Sequence, residues 1–490
     1  MADLKNINKD NSTVNIILKL IDYTRSKHNI TLLYQFHEVT LTTTLWYSTV
    51  DFHKLEKEYG QEYMNKLYFH LLLFQGLKIL SLKPTHLDLG KFSGYWNPRL
   101  KKLWDISVEQ CLGQWRYVSG NLDYKGAEVI GEKISSVPIS PIAISPGEVS
   151  LLVCNGGGKD SLLMARLLDD KGILFDSFDI NYHTVTNPEH QFELNEQHLC
   201  GLQNPPSKIH RQYVMESFFN SPVAKLHGVE NLEISTVKDY ESLPLAYGAF
   251  GILPIILQHK YTMLCYGNEK SSDKEHVRVG NQSINHAWPK TTECEIFYEE
   301  YIQEEFIDNL TIFSLIKSLS DVLVYQLLAQ KVRGNDIKNV SSCNTEPPWC
   351  MSCPKCAYVY LSYMAYLKPE QLNDVYSIFN HQNLLDSPKL ELYYRQLMGL
   401  EAHNAFECVG EIEETKLAFE KCVERGITGK AIDCYIQEAR LEQNTYQKLW
   451  EKYNEFDFSY QRLPKQLEKI IVDEYQELQK SRTTQKISKN

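Results

Sequence analysis

The chain has 490 residues, of which 43% are apolar, and its formal net charge is −11. This length exceeds one ordinary domain and the apolar content is enough for sizeable cores, so we expect two or three domains. An acidic chain lacks the basic footprint of broad nucleic-acid binding, which argues against nucleic acid as a partner.

The first ten residues are polar and partly acidic, unlike a signal or transit peptide. The most apolar stretch, Leu67 to Leu82, includes His70 and Lys78 and is too short to span a bilayer. It predicts a buried helix and no membrane association. Most of the 12 cysteines are scattered without the spacing of a disulfide framework, which indicates a reducing compartment. These features favour a cytoplasmic protein.

Residues 1–140 are predicted to form a separate N-terminal α+β domain. The stretch from Ile30 to Val50 is rich in Thr, Tyr, Leu and Val, which is typical of paired strands. Apolar residues at helical spacing follow between Leu55 and Leu82. The segment from Val137 to Gly147 contains three prolines and no helical pattern, so we place a linker there.

The most informative segment begins with the apolar run Ser150 to Val153 and continues as Cys-Asn-Gly-Gly-Gly-Lys-Asp-Ser up to Ser161. Apolar residues then recur at helical spacing, so the pattern predicts a strand, a tight glycine turn and a helix start. The first N–H groups of such a helix favour an anion, and we expect the loop to hold a phosphate or pyrophosphate. The alternative is a glycine-rich turn without a ligand.

This loop fits neither the Walker pattern nor Gly-x-Gly-x-x-Gly, but it resembles the PP-loop, Ser-Gly-Gly-x-Asp-Ser, of ATP pyrophosphatases. The resemblance implies an α/β fold of the adenine nucleotide alpha hydrolase type, a parallel sheet with helices on both faces. It also implies cleavage of ATP to AMP and pyrophosphate, with AMP transferred to a substrate oxygen. Gly157 and Gly158 would then supply N–H groups to the phosphates, Lys159 would add positive charge, and Ser161 would donate its hydroxyl to the leaving pyrophosphate.

The same resemblance gives Asp160 a catalytic role beside Lys159. Its carboxylate would hold Mg²⁺, or alternatively cap the helix. Gly156 stands where the family usually has serine, so one hydroxyl donor is missing and Asn155 is a candidate to replace it.

A second strand is predicted from Ile173 to Ile180, after a helix that ends near Gly172. A strand, helix and strand of this length form a βαβ unit with parallel strands, and ligands lie beyond the carboxyl ends of such strands. We therefore expect Asp179 to His183 near the base or ribose of a nucleotide, or else at a solvated strand end.

Four cysteines lie close together at Cys343, Cys350, Cys353 and Cys356. Four thiolates with two-residue gaps form a closed tetrahedral set for a structural Zn²⁺. An iron–sulfur cluster uses the same ligands, and free or redox-active thiols are the remaining alternative. The apolar stretch from Ala357 to Leu367 predicts a buried helix that the metal pins in place.

We place the PP-loop domain, including this zinc knuckle, at residues 148–368 and a helical C-terminal region at 369–490. Helical spacing in that region is found from Ile412 to Arg425, from Lys430 to Phe456 and from Pro464 to Gln479. The helices could cover the active site or form a subunit interface, and the oligomeric state stays open.

A PP-loop followed by four cysteines is similar to the arrangement in 7-cyano-7-deazaguanine synthase. The intervening motifs fit another family better, and they occupy Tyr266 to Asp273, Gly280, Ile284 to Glu293, Trp349 to Ala357 and Gly399 to Gly410. In this order they resemble the UDP-N-acetylmuramoyl-L-alanyl-L-glutamate epimerase family, a bacterial peptidoglycan branch of the PP-loop enzymes. The resemblance spans about residue 145 to 420.

The resemblance implies that ATP adenylates the α-carboxylate of the terminal L-Glu of a UDP-muramoyl dipeptide. An acyl adenylate has a more acidic α-proton, so a base removes it and reprotonation on the other face gives D-Glu. Glu269, Asp273, His286 and Lys290 are the candidate acid–base groups. Alternatively, Glu269 belongs to a plain strand-end turn and His286 is an ordinary loop histidine.

Three other functions remain open from the sequence. An amide- or nitrile-forming ligase would use the same ATP step on another carboxylate. A nucleobase or tRNA sulfur transferase would need a reactive thiol such as Cys154 or Cys294, although both are more simply explained as small packed residues. A relative without activity is the last possibility, and Gly156 is its only sign.

Overall fold

The computed structural model describes residues 15–132, 138–182, 188–226, 250–274, 277–280, 282–343, 345–402 and 409–487. The strands of these ranges are β1 (Ile17–Arg25), β2 (Asn29–Phe36), β3 (Val39–Tyr47), β4 (His86–Asp88), β5 (Glu128–Ile130), β6 (Leu151–Cys154), β7 (Asp176–Tyr182), β8 (Ile209–Glu216), β9 (Met263–Tyr266), β10 (Val277–Val279), β11 (Gln282–Ile284) and β12 (Thr311–Ser314).

The helices of the same ranges are α1 (Phe52–Tyr59), α2 (Gln61–Gln75), α3 (Pro98–Cys111), α4 (Gly113–Val118), α5 (Lys159–Asp170), α6 (Pro188–Leu199), α7 (Pro222–Leu226), α8 (Leu253–His259), α9 (Thr292–Glu305), α10 (Asp321–Lys331), α11 (Pro354–Tyr366), α12 (Leu372–Ile378), α13 (Glu391–Leu397), α14 (Ile412–Glu424), α15 (Lys430–Cys434), α16 (Gln443–Tyr453) and α17 (Lys465–Ile487). The buried stretch Leu67 to Leu82 is the end of α2 followed by a 3-10 turn at Leu77–Leu82.

One large sheet has the strand order β12-β9-β6-β7-β8-β3-β2-β1-β4-β5. Neighbouring strands from β12 to β8 are parallel. The pairs β8–β3, β3–β2 and β2–β1 are antiparallel, whereas β4 and β5 extend the far edge in parallel. The protein is therefore α/β with a large, mostly parallel sheet, as the sequence predicts, and β10 pairs with β11 in a separate hairpin.

The N-terminal strands share this sheet and do not form one of their own. β3 pairs with β8 from Thr43↔Glu216 to Tyr47↔Gln212, so the sheet has no edge between the two parts. One apolar core also includes Leu32 from the N-terminal part and Leu152 from β6. The structure therefore does not have the separate N-terminal domain that the sequence predicts. An isolated β3 would leave a row of N–H and C=O groups unpaired, and β8 supplies their partners.

Both faces of the sheet carry helices, because strand residues alternate between two cores. Leu152 of β6 belongs to a core that includes residues of α2, α8 and α9. Its neighbours Leu151 and Val153 belong to a second core that includes residues of α5, α10 and α11. The sheet thus holds β6 between two helical layers, with its carboxyl end at the base of the glycine loop.

The C-terminal helices pack mainly against α11, where Phe419 of α14 lies in the second core. The stretch with helical spacing from Lys430 to Phe456 is divided: α15 continues as a π-helical turn at Tyr435–Ala439, and α16 begins at Gln443. Arg440 adopts an extended backbone between them, and the N–H of Leu441 donates to the hydroxyl of Tyr435 at 3.3 Å. Among the described residues, no helix has both the length and the apolar character needed to cross a bilayer.

Candidate active site

A cavity of about 530 Å³ lies at the carboxyl ends of the central parallel strands. Cys154 of β6, Tyr182 of β7 and Tyr266 of β9 contribute to its lining. β7 and β9 flank β6 on opposite sides, so the strand order reverses at this point. Ligands of open α/β sheets bind at such a reversal, which makes this cavity the candidate site.

The glycine loop forms the floor of the cavity in a conformation that its neighbours define. Gly157 has a φ of +71°, and a Cβ at this position would lie 2.2 Å from Oδ1 of Asn195. The N–H of Gly157 donates to Oδ1 of Asn155 at 2.9 Å, and Nδ2 of Asn195 donates to the carbonyl of Asn155 at 3.4 Å. Asn155 thus lines the cavity and also braces the loop from below.

The turn into α5 leaves donors available for an anion. The N-cap residue of α5 makes no side-chain hydrogen bond to the first turn, so the alternative role of Asp160 as a helix cap is not observed. The N–H of Lys159 in this turn donates to Oγ of Ser342 at 3.4 Å. The N–H of Gly156 donates to Oγ of Ser161 at 3.0 Å, which leaves the hydroxyl hydrogen of Ser161 for a ligand. Uncapped N–H groups at a helix start next to a glycine turn suit a phosphate group.

Serine at two neighbouring loop positions is expected to lower folding stability to very different extents. At Gly156 an added Cβ meets no atom within 4 Å, so Gly156→Ser should change the free energy of unfolding by less than about 0.5 kcal/mol. At Gly157 the positive φ and the buried, hydrogen-bonded Asn195 both oppose a side chain, and Gly157→Ser should cost about 2 kcal/mol or more. Urea denaturation of both variants measures the difference; equal costs would contradict this loop geometry.

Lys159 lies away from the position expected of a phosphate ligand. Its side chain is buried, and Nζ donates to Oδ1 of Asp160 and to Oδ1 of Asp321, both at 2.7 Å. The hydroxyl of Tyr358 donates to the other oxygen of Asp321 at 2.6 Å. Burial alone would lower the pKa of Lys159, but the two carboxylates raise it well above its usual value. The ammonium is therefore charged, and it is engaged beneath the loop instead of lining the cavity.

Asp160 is the carboxylate that reaches the cavity, with 30% of its side chain exposed compared with 6% for Asp321. Burial raises the pKa of Asp160; Lys159 opposes this rise, while Glu269 and Asp321 add to it. A partly exposed carboxylate beside an uncapped helix start is suited to hold Mg²⁺ through oxygen.

Glu269 lies at the turn after β9, close enough to Asp160 for its charge to affect that carboxyl group. Oγ of Ser271 donates to Oε1 of Glu269 at 3.1 Å, and the side chain is half-buried. The preceding residues Gly267 and Asn268 line the cavity. Among the predicted acid–base groups, Glu269 is therefore placed next to the loop.

Asp273, His286 and Lys290 do not contribute to the cavity lining. Asp273 accepts hydrogen bonds from N and Oγ1 of Thr292, at 2.6 and 2.9 Å, where α9 begins. His286 is buried in the segment that follows β11. These positions suit residues that hold loops in place. Glu269 is also outside the lining, so Asp160 is the one predicted catalytic residue that lines the cavity among the described residues.

Lys317, which the sequence analysis did not identify, organises this region. It is buried, and Nζ donates to Oγ of Ser272 at 2.7 Å and to the carbonyl of Lys290 at 2.9 Å. It also pairs with Asp273 at 2.9 Å. A lone lysine between apolar residues carries no spacing signal, so only the fold shows that it joins the turn after β9 to the start of α9.

Asp179 lies behind the loop and does not line the cavity, contrary to the expectation that it meets a base or ribose. It is fully buried, and Oγ of Ser177 donates to its Oδ1 at 3.1 Å. Burial raises the pKa of Asp179 to about 7, although Ser177, Arg211, Asn155 and Asn195 oppose the rise. His183, the other end of the predicted segment, lies outside the described residues.

The raised pKa of Asp179 predicts a loss of folding stability between about pH 4 and pH 7. In that window the folded state binds more protons than the unfolded state, so stability falls as pH rises. Asp179→Asn should reduce this fall by about 2–4 kcal/mol, since an amide does not titrate. Denaturation at several pH values tests it, with the exposed Asp433→Asn as control; parallel pH curves for wild type and Asp179→Asn would refute the prediction.

The four predicted cysteines meet at one point. Their Sγ atoms all lie within 4.8 Å of one another, with Cys343–Cys353 and Cys350–Cys356 each at 3.9 Å. Tetrahedral Zn–S bonds of about 2.3 Å require S···S distances close to these. The N–H groups of Glu346 and Cys350 also point at Sγ of Cys343, both at 3.3 Å. The donor set fits a thiolate-bound metal such as Zn²⁺.

This cysteine knuckle, residues 341–356, forms one wall of the cavity. Ser341, Ser342 and Lys355 contribute to the lining. The N–H of Ser341 donates to the carbonyl of Gly157 at 2.9 Å, and the N–H of Lys159 donates to Oγ of Ser342 at 3.4 Å. A metal held by the knuckle would therefore fix this wall, which is hydrogen-bonded to the glycine loop, as well as stabilise the fold.

The two thiols considered for sulfur transfer are poorly suited to it. Burial raises the pKa of Cys154, which lines the cavity, well above its usual value. Burial does the same for Cys294, which is packed in the first core. Since the thiolate is the nucleophile, both cysteines are better explained as packed apolar residues.

Comparisons with known proteins agree with the motif order. Residues 338–449 match the family described as the MurL C-terminal domain, a range that includes the cysteine knuckle and helices α11 to α15. An enzyme of Salinispora tropica named UDP-N-acetyl-alpha-D-muramoyl-L-alanyl-L-glutamate epimerase is 27% identical over 271 residues, which cover 54% of this chain and 53% of that enzyme.

Two further enzymes of the same name match shorter stretches. The Micromonospora enzyme is 33% identical over 165 residues, 32% of this chain and 36% of its own length. The Xanthomonas oryzae enzyme is 30% identical over 162 residues, 31% of this chain and 35% of its own length. The matches thus span between about a third and about half of these relatives. The resemblance of this chain to the UDP-N-acetylmuramoyl-L-alanyl-L-glutamate epimerase family, which its motifs indicate, is therefore confirmed.

Proposed function

We propose that this protein is an ATP-dependent, AMP-forming epimerase that converts the terminal L-Glu of UDP-MurNAc-L-Ala-L-Glu to D-Glu for peptidoglycan precursor synthesis. The observation that carries the proposal is the glycine loop at the reversal of the strand order, which leads into a helix whose N-cap residue makes no side-chain hydrogen bond. Asp160 lines the cavity beside this loop. The names of the relatives supply the substrate.

The first step would occur at the glycine loop. An oxygen of the substrate α-carboxylate attacks the α-phosphorus of ATP, the bond to the bridging oxygen breaks, and pyrophosphate leaves. The N–H groups at the start of α5 and the hydroxyl of Ser161 would bind the departing phosphates, while Asp160 would hold Mg²⁺. Bound Mg²⁺ supplies positive charge that stabilises the negative charge developing on the leaving pyrophosphate.

The second step would exchange the α-proton of the acyl adenylate. Adenylation removes the negative charge of the carboxylate, so the neighbouring C–H becomes more acidic. Glu269, beside Asp160 at the end of β9, is the candidate that the geometry favours for moving this proton. Return of a proton to the opposite face, followed by attack of water on the acyl carbon, would release AMP and the UDP-muramoyl dipeptide with a terminal D-Glu residue. The cysteine knuckle would hold its metal as a structural cross-link throughout.

The test is an incubation of the purified protein with Mg·ATP and UDP-MurNAc-L-Ala-L-Glu in deuterated water. We expect AMP and pyrophosphate in equal amounts, and D-Glu with deuterium at the α-carbon. A requirement for ammonia without exchange at that carbon would instead identify a ligase. Epimerisation without ATP, or no affinity for Mg·ATP, would overturn the proposal.

A further inference from the structure

The phosphates of a bound nucleotide would need a cation that the glycine loop does not provide. Lys159, the lysine of the loop, donates to Asp160 and Asp321 and does not line the cavity. Among the described residues that do line the cavity, Lys355 is the one Lys, Arg or His. The carboxylate of Asp160 adds negative charge to the same space.

Lys355 enters the cavity from the cysteine knuckle. It lies in the first turn of α11, between Cys353 and Cys356, and its Nζ is 6.0 Å from the centre of the Tyr358 ring. Burial opposes ionisation of Asp321, but Lys159 and Tyr358 lower its pKa, and the charge of Lys355 adds to this lowering. The ammonium is thus near the acidic group under the loop and at the wall facing the helix start.

The backbone fixes the distance between this wall and the loop. Ser341 donates its N–H to the carbonyl of Gly157, and the hydroxyl of Ser342 accepts from the N–H of Lys159. The peptide segment that begins the knuckle is therefore attached directly to the loop. The start of α5 and Lys355 in the first turn of α11 line the same cavity, so a ligand at the helix start shares that cavity with Lys355.

We propose that Lys355 binds the β- and γ-phosphates of the nucleotide, so that the cysteine knuckle delivers the cation that the glycine loop lacks. This inference rests on the proposed function, since it assumes that ATP occupies the loop. It gives the knuckle a binding role in addition to its structural one, and it assigns to Lys355 the charge that the sequence pattern assigned to Lys159.

Calorimetry with Mg·ATP and with AMP on three variants tests the inference. Lys355→Met should weaken Mg·ATP binding by about 10- to 100-fold, because a charge-assisted contact to phosphate is lost. AMP affinity should change by less than about 3-fold, because AMP lacks those phosphates. Lys355→Arg keeps the charge and should stay close to wild type. Lys338→Met is the matched control, since Lys338 pairs with Asp374 and does not line the cavity.

Zinc content and thermal unfolding are measured on the same samples, so that loss of the metal or of stability in Lys355→Met is recognised. In that case, the Mg·ATP affinity of Lys355→Arg decides whether the charge at position 355 contributes to binding. Unchanged Mg·ATP affinity in Lys355→Met, or an equal loss for AMP, would overturn the role of Lys355 while leaving the proposed function intact. Wild-type protein that binds no Mg·ATP would overturn both.

Discussion

Asp160→Asn is expected to reduce ATP turnover by on the order of 10³-fold while leaving the protein folded. Asp160 and Asp321 both accept from Nζ of Lys159 at 2.7 Å, but only Asp160 lines the cavity. An asparagine at position 160 still accepts from Lys159, whereas it loses the negative charge needed to hold Mg²⁺. Pyrophosphate release with the dipeptide substrate measures the loss.

Asp321→Asn is the matched control, because it removes the charge of the other carboxylate that pairs with Lys159, which is buried and does not line the cavity. Asp321 also accepts from the hydroxyl of Tyr358, and removing its charge leaves Lys159 with one carboxylate. We expect the free energy of unfolding to fall by about 3 kcal/mol. Substantial turnover in Asp160→Asn would show that the loop is not the adenylation site, whatever Asp321→Asn does.

Cys353→Ser should destabilise the whole protein by at least about 4 kcal/mol and lower the Tm by roughly 4 °C or more. Cys353 caps α11 as well as offering a thiolate, since its Sγ accepts from the N–H of Cys356 at 3.4 Å. Loss of one ligand opens the site and frees the wall attached to Gly157. Thermal unfolding and elemental analysis check the prediction, which requires one Zn²⁺ per wild-type chain.

Cys200→Ser is the control for this experiment, because Cys200 is exposed and lies outside the cluster. It should leave the Tm and the metal content unchanged. A chelator should reproduce the effect of Cys353→Ser on wild-type protein. Iron in place of zinc would favour the cluster alternative, and a metal-free protein of full stability would contradict a structural metal site.

Local patterns predicted those parts of the site that depend on neighbours in the chain. The glycine turn, the start of α5 and the four cysteines each lie within a short segment, so their residue spacing indicates them locally. The class of the fold was predictable for the same reason, because β6, α5 and β7 follow one another directly.

Contacts between distant residues account for what the sequence did not predict. Lys159 lies beneath the loop because Asp321, 162 positions away, accepts from it. Lys355 was overlooked because the knuckle pattern accounts for its cysteines and says nothing about the residues between them. The separate N-terminal domain was wrong because strand pairing across the chain, as between β3 and β8, leaves no trace in local periodicity.

The pairing of β3 with β8 also has a consequence for synthesis on the ribosome. Thr42 and Ser217, hydrogen-bonded across this junction, are 175 positions apart. At about 5–20 residues per second, roughly 10–35 s pass before the second partner emerges. During that interval the free edge of β3 exposes N–H and C=O groups that have no partners. Another chain can pair with such an edge, which leads to aggregation. We therefore expect the nascent chain to depend on chaperones mainly before β8 is synthesised. A separate peptide of residues 188–226, supplied during translation, should shorten this period.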